Sequence, residues 1–504
     1  MANLYTLLES RFPAALDAPF ATNSDGSVLT YGELKKQSAR YANLLVTLGL
    51  QPGDRVAVQA AKSTSMMMLY LGCLRAGAVF LPLNTAYTSA EIDYFLQDAS
   101  PSLFVFDPSH EASLRPLATA AGVPHLATLD EHGDGTLCTE ASQRSPEFMT
   151  FEVSDDDLAA ILYTSGTTGR SKGAMLSHGN LASNCATLCE YWRFSADDVL
   201  LHALPIFHTH GLFVATNVVL SAGAQMIFLE SFDIDRVIAA LPRSTVMMGV
   251  PTFYIRLLKD VRFTRELVAH MRLFVSGSAP LSADIHRAFR EHTGHVILER
   301  YGMTETNMIT SNPYDGERRP GTVGFPLPGI SVTIADPETG AEIAPGEVGV
   351  IQIKGPNVFK GYWNMPEKTA AEFRNGHFIS GDLGRFDEEG YVAIVGREKD
   401  LIIAGGYNIY PAEVEAALDE LPEVRESAVI GVSHPDMGEG VVAVVVPASA
   451  GFSDEPKLKV ALQERLARFK QPRRIMFVDE LPKNAMGKVQ KTSLREQFRN
   501  TFVM

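Results

Sequence analysis

Along the first four hundred residues, apolar runs of strand length alternate with stretches whose apolar positions recur at helical spacing. Residues 55–58, 79–83, 158–163, 246–250, 273–276 and 296–298 read as buried strands bounded by Gly, Pro or Ser. Between them, segments such as 31–48, with Leu34, Ala42 and Leu45 on one face, carry the helical period. Strand and helix in alternation predict parallel sheets with helices on both faces. After about Pro313 the pattern becomes short alternating strands with Gly or Pro every few positions, which predicts a small antiparallel or barrel-like subdomain. From Asp400 it changes again, to a compact α+β unit over 401–504. The charged pentad Gly-Arg-Glu-Lys-Asp at 396–400 between them reads either as a linker or as a solvated turn.

Composition narrows the function classes. A chain of 504 residues accommodates two to four domains at roughly 150 residues each. With 46% hydrophobic and 20% charged residues, it is neither disordered nor fibrous. The net charge of −15 disfavours a nucleic-acid partner, because such binding needs a basic face that releases counterions. It says nothing about small anions, which respond to a few local cations. No run reaches the length of a membrane span, since even residues 69–83 contain Arg75, and the first residues lack the basic start and apolar run of a secretory signal. A cytoplasmic protein with no membrane partner is expected. Four scattered cysteines are too few for a disulfide framework and fit a reducing compartment. Cys185 and Cys189 have helical spacing without a second metal-type pair, so a buried apolar role is expected for them.

The densest chemical signal follows the strand expected at 158–163. Thr164, Ser165, Gly166, Thr167, Thr168, Gly169, Arg170, Ser171, Lys172 and Gly173 bring five hydroxyls, three glycines and two cations into ten residues. Glycines let backbone N–H groups converge, and hydroxyls and cations complete a cradle for phosphate oxygens. A flexible surface turn accounts for the Gly and Ser but not for the cations. A Walker A loop is excluded, because it needs a second Gly five positions after the first, and position 171 is Ser.

Six further motifs follow in order: Ser-Gly-Ser-Ala-Pro-Leu (276–281), Tyr-Gly-Met-Thr-Glu-Thr (301–306), Ser-Gly-Asp (380–382), the pentad 396–400, the glycine-led segment 405–415 and Pro-Lys-Asn-Ala-Met-Gly-Lys (482–488). Together the seven resemble the adenylate-forming superfamily of acyl-CoA synthetases and luciferases, over about residues 20–495. The resemblance implies an α/β protein: a large N-terminal domain of parallel sheets flanked by helices plus a small β subdomain (1–396), a hinge (397–400), and a small mobile α+β C-terminal lid (401–504). It also implies two half-reactions, attack of a carboxylate on the α-phosphate of ATP and then displacement of AMP by the thiol of coenzyme A. Both need charge neutralisation rather than covalent catalysis.

Carried over by motif, Thr164, Ser165, Gly166, Thr167, Thr168, Gly169 and Lys172 would hold the β and γ phosphates. Glu305 would ligand Mg²⁺ and Thr304 would touch the α-phosphate. Tyr301 would stack on adenine, with Glu299, Arg300 and Gly302 beside it, while Gly277, Ser278 and Ala279 would line the junction of adenine and acyl group. Asp382 and Arg397 would grip the ribose, and Gly405 and Gly406 would line the pantetheine tunnel. Lys399 would be the hinge residue. Lys488 would neutralise the approach of carboxylate to phosphate, and by the same resemblance would be a target for a lysine acetyltransferase and deacetylase.

The acid is chosen by the acyl pocket. His208 falls at a pocket position, and the helix expected at 281–292 carries the stripe Leu281, Ile285 and Phe289. Arg287 lies about 200° from Ile285, so periodicity reads it as a solvated residue pairing with Asp284 or Glu291. The stretches around 206–213, 276–289 and 299–324 are nevertheless similar to the malonyl-CoA synthetases, where the matching arginine would bind the distal carboxylate of malonate. That likeness adds His208 and Ser278 as hydrogen-bonding groups and Thr209 and Met308 as bounds on a C2 substituent, which admits methylmalonate. Other readings are a synthetase for another short or medium acid, a stand-alone enzyme loading a carrier protein, and an oxidative luciferase-like enzyme.

Overall fold

The computed structural model describes residues 3–164, 171–404, 407–435, 437–463, 465–466, 468–484 and 487–502. The alternating pattern resolves into two mainly parallel sheets. One has six strands, in the order His125–Thr128, Leu103–Phe106, Arg55–Gln59, Val79–Pro82, Leu158–Thr164, Lys172–Ser177. Only its last pair is antiparallel, so residues 165–171 join two neighbouring strands instead of leading from a strand into a helix. The other has nine strands, and its central run Leu298–Met303, Leu273–Ser276, Val246–Gly249, Val199–His202, Gln225–Phe228 and Pro19–Asn23 is parallel throughout. Strands buried on both faces must be apolar along their whole length, and Val79–Pro82 and Leu273–Ser276 are buried at every position.

Local signals set the helix ends. Tyr31–Thr47 starts on a reciprocal capping box, in which Thr30 and Glu33 each satisfy the other's backbone N–H, an arrangement worth about 1 kcal/mol. Ala283–Thr293 begins one residue after its cap Ser282 and ends at Gly294, whose φ of +80° suits a residue without a side chain. The strand expected at 296–298 instead runs over Leu298–Met303. Its apolar stretch stops at Leu298, but the backbone continues because Asn307–Ser311 pairs with it antiparallel. The polar text Glu-Arg-Tyr-Gly-Met is thus strand, held at the sheet's C-terminal edge.

The expected small β subdomain is an antiparallel sheet in which Ser331–Ala335, Gly349–Lys354, His377–Phe386 and Phe373–Arg374 lie in order and Val392–Arg397 pairs with His377–Phe386. A turn at Glu398–Asp400 leads into the last sheet, built on the long pair Val424–His434 and Gly438–Pro447. That unit has its own core, with Ile409, Val414, Leu418, Val429, Val445 and Leu458 buried together. The fold is α/β, with a large N-terminal domain and a smaller C-terminal one. Among the described residues, no helix is long and apolar enough to cross a membrane.

Candidate active site

In parallel sheets, ligands collect where the strands end at their carboxyl edge. Here Ser276, His202, Gly249 and Met303 end neighbouring strands of the nine-stranded sheet, and the motif residues follow them. Successive side chains of a strand point to opposite faces, so Leu298–Met303 sends Arg300 and Tyr301 different ways.

On Tyr301's side, its hydroxyl donates to Asp382 Oδ2 at 2.5 Å, and Arg397 Nε meets Asp382 Oδ1 at 2.6 Å. Asp382 and Arg397 are cross-strand partners, which brings the Ser-Gly-Asp motif and the charged pentad together. Burial first, then the Asp382 charge, raises the Tyr301 phenol well above its ordinary value. A nucleoside's ring and diol would meet an aromatic, a carboxylate and a guanidinium here.

Thr304 and Glu305 occupy the turn between Leu298–Met303 and Asn307–Ser311. Glu305 is buried, its carbonyl accepts from Phe359 N–H at 2.8 Å, and its Oε1 lies 3.0 Å from the Tyr362 hydroxyl. That hydroxyl donates to Glu372 Oε2 at 2.6 Å, and Lys172 Nζ is 3.0 Å from Glu372 Oε1 and 4.1 Å from the centre of the Tyr362 ring. Lys172, expected on phosphate, is thus docked on Glu372 beside the loop. Thr164 closes the strand at the loop's start, its hydroxyl 3.4 Å from the Lys172 carbonyl. Ser165, Gly166, Thr167, Thr168 and Gly169 lie outside the described residues, as do Gly405 and Gly406. Burial raises the Glu305 carboxyl. Among the described residues no three His, Cys, Asp or Glu side chains converge as a metal cage. The buried Glu305 carboxylate would fit a hard cation that takes its other ligands from phosphate and water.

On Arg300's side lies a polar cluster. The guanidinium rests on Gly277, where a Cβ would fall 2.4 Å from its central carbon, so a side chain there would displace it. Ser278 follows in the left-handed region at φ +70°, a conformation that costs a non-glycine residue about 1–3 kcal/mol and that aims its hydroxyl 3.1 Å from His210 Nδ1. Thr209 and Met308 are buried, while Ala279 is partly open. Gly302 has no room for a side chain, its Cβ position lying 2.1 Å from the Asn307 carbonyl oxygen. Burial, then the charges of Lys488 and Arg300, bring the His208 imidazole down to about 3, so it is neutral. Arg300 Nε and Nη2, His210 Nε2, Thr209 Oγ1, Ser276 Oγ and Glu299 Oε2 are all buried without a hydrogen-bond partner. Buried polar atoms are nearly always paired, so the unpaired Arg300 and His210 nitrogens, which are electrostatic neighbours, leave capacity for further hydrogen bonds.

Burial pushes the Glu299 carboxyl up to about 8, leaving it protonated at neutral pH, with the Leu281 N–H donating to its Oε1 at 3.1 Å. A raised acid pKa stabilises the fold at low pH, and that contribution is lost as pH climbs from roughly 4.3, the unfolded value, through about 8. The Glu299→Gln variant is therefore expected to gain stability relative to wild type across that window, by up to about 1.4 kcal/mol per pH unit. Thermal melts of both proteins between pH 5 and 8 check this; a constant difference contradicts it.

Arg287 does not join the pocket. It sits on Ala283–Thr293 with its guanidinium more than half exposed and paired to Asp284 one helical turn back, the solvated arrangement that periodicity gave. The buried face of that helix is Phe289 and His286, and among the described residues Arg300 is a buried cation with two unpaired nitrogens. Arg300, expected with adenine, packs on Gly277 and has His208 and His210 as electrostatic neighbours. His210, Tyr362 and Glu372 were not anticipated. The His-Thr-His triplet at 208–210 was a signal for the first, whereas the other two lie in unremarkable text.

Lys488 reaches this centre from the C-terminal domain. Its side chain is exposed, with Arg397, Asp382, Glu305 and Arg300 as its electrostatic neighbours, and partial desolvation, followed by the Arg397 charge, lowers its pKa. Lys399 is exposed in the turn Glu398–Asp400, and Arg495 Nη2 ties that turn down through Asp400 at 2.6 Å.

Fold and site together define an adenylate-forming enzyme. Profiles described as "AMP-binding enzyme" and "AMP-binding enzyme C-terminal domain" match residues 10–363 and 413–488. The ATP-bound structure of MatB from Rhodopseudomonas palustris is 55% identical over 99% of both chains with a TM-score of 0.97, and the apo structure of that protein scores 0.86. A feruloyl-CoA synthase from an Amycolatopsis species is 38% identical over 95% of this chain and 96% of its own, and a malonate–CoA ligase from Arabidopsis thaliana is 34% identical over 95% and 86%. The chain belongs to the AMP-binding enzyme family and is an ATP-dependent, AMP-forming acyl-CoA ligase.

Proposed function

We propose that the acid is malonate, with methylmalonate as a second substrate, and that the product is malonyl-CoA. The observation that carries this reading is the buried Arg300 fork with two unpaired nitrogens, beside neutral His208, His210 and Ser278. A fatty chain or an aromatic ring packed here would leave a desolvated cation without a partner, at a cost of several kcal/mol. A second carboxylate removes that cost and takes a bidentate pair from the guanidinium. The malonate–CoA ligase among the relatives supports the same reading. Thr209 and Met308 bound the small space left for a C2 methyl group.

In the mechanism, Arg300 anchors one carboxylate and leaves the other facing the nucleotide. Tyr301 stacks on adenine, Asp382 and Arg397 hold the ribose, and the loop from Thr164 to Lys172 cradles the terminal phosphates. Thr304 holds the α-phosphate, and Glu305 would hold Mg²⁺, which would offset charge on the phosphate oxygens. Lys488 sits between carboxylate and α-phosphate, where two anions must approach. The carboxylate oxygen bonds to the α-phosphorus as pyrophosphate leaves, giving malonyl-adenylate. The sulfur of coenzyme A then bonds to the acyl carbon and AMP leaves with the electron pair. Incubation with ATP, Mg²⁺, coenzyme A and malonate should yield malonyl-CoA and AMP in equal amounts by mass spectrometry, and absence of malonyl-CoA overturns the assignment.

The domains are proposed to divide at 397–400, with Lys399 as the hinge that lets residues 401–504 rotate between half-reactions. Lys488 then withdraws and the segment at Gly405 and Gly406 approaches the acyl-adenylate. A few residues absorbing a large backbone change is the usual hinge construction. Proline fixes φ and removes a donor. Lys399→Pro is expected to leave adenylate formation within about threefold and to slow thioester formation at least about tenfold. Equal losses in both steps, measured by single turnover, contradict the hinge.

A further inference from the structure

One buried lysine lies outside the chemistry above. Lys62 follows the strand Arg55–Gln59 of the six-stranded sheet and precedes the helix Thr64–Ala76, yet its ammonium ends inside the nine-stranded one. Nζ lies 3.0 Å from His202 Nδ1, 2.9 Å from the His202 carbonyl and 2.5 Å from the Leu229 carbonyl, and 4.2 Å from the centre of the Phe228 ring. An ammonium has three protons and no acceptor, so all three are used. Leaving such a group buried is costly unless it is fully bonded, and here it is.

The contacts of His202 fix its tautomer. Its Nε2 lies 2.9 Å from the Gly211 carbonyl, which can only accept, so Nε2 carries the proton and Nδ1 presents the lone pair to Lys62. The same carbonyl accepts from Thr216 Oγ1 at 3.0 Å. Gly211 is the second residue of the wide-turned helix His210–Thr216, directly after Thr209 and His210, and a Cβ there would lie 2.0 Å from the Pro205 carbonyl oxygen. The pocket histidines therefore sit on a short arch whose backbone is held from below through one imidazole. Burial, reinforced by the Lys62 charge, keeps that imidazole neutral.

We propose that Lys62 is a positioning residue for the acid pocket, acting through the His202 imidazole to hold the Gly211 carbonyl and with it the turn bearing His208 and His210. The proposal rests on the reading above only in treating that turn as part of the acid site, and not on which acid enters. Lys62→Met, close in shape but without the charge, is expected to raise the KM for malonate about tenfold while leaving the KM for ATP within about twofold. His202→Gln, whose amide reaches the place of Nε2, should keep the malonate KM within about threefold of wild type. His202→Asn, whose amide reaches only the place of Nδ1, should raise it about tenfold. Equal effects of Gln and Asn, or KM values for malonate and ATP that move together, overturn the proposal. The Gln and Asn pair decides the His202–Gly211 link; whether Lys62 acts through it is decided by combining Lys62→Met, or Lys62→Gln where Met fails to fold, with His202→Asn, non-additive effects on the malonate KM being expected and additive ones overturning the proposal. If the wild type turns over a different acid, the malonate assignment fails and the same variants are read with that acid.

Discussion

Replacing Lys488 by Ala is expected to lower the rate of malonyl-adenylate formation by about 10²–10³-fold, the usual effect of deleting one pre-placed electrostatic group. Thioester formation from preformed malonyl-adenylate and coenzyme A should stay within about threefold of wild type, because no second anion then approaches the α-phosphate. Lys488 stands among Arg397, Asp382, Glu305 and Arg300, where partial desolvation and the neighbouring cations lower its pKa. Adenylation in the wild type is therefore expected to decline on the alkaline side at a pH below the ordinary lysine value, as the ammonium loses its proton. Rapid-quench measurement of each half-reaction checks both statements, and comparable losses in the two halves contradict them.

The second large effect concerns Arg300. Arg300→Met should cut kcat/KM for malonate by about 10³-fold, in line with the several kcal/mol lost when a buried charge loses its partner. The KM for ATP should change little. The same substitution is expected to raise the melting temperature of the ligand-free enzyme, because it removes a desolvated cation whose Nε and Nη2 have no partner. Loss of activity coupled to gain of stability distinguishes a ligand anchor from a structural arginine. Arg287→Ala serves as the contrast: its exposed pair with Asp284 is worth about 0–1 kcal/mol, so malonate kinetics should stay within about threefold. A large effect at Arg287 with none at Arg300 would reverse the assignment of the pocket.

Much of this architecture could be read from the sequence for definite physical reasons. Strands such as Val79–Pro82 are buried on both faces and leave continuous apolar text, and Tyr31–Thr47 announces itself by its period. The segment 164–173 stands out because it concentrates unusual residue types in one short stretch. What escaped was long-range pairing. Leu298–Met303 is strand because Asn307–Ser311 lies beside it, not because its residues are apolar. Arg287 and Arg300 look alike as text, and only the packing of Gly277 against one guanidinium and of Asp284 beside the other separates them. Lys62 and His202 meet across two sheets from positions 140 residues apart, with no local spacing to betray the contact.

The central claim is that a buried guanidinium selects a dicarboxylate. The direct measurement compares kcat/KM for malonate and for propionate, two three-carbon acids of similar size that differ by the distal carboxylate, in the wild-type enzyme with ATP, Mg²⁺ and coenzyme A. The account predicts a preference for malonate of at least about 10³-fold, since a site built for a polar group rejects the analogue that lacks it. A ratio near unity, or a preference for propionate, contradicts it.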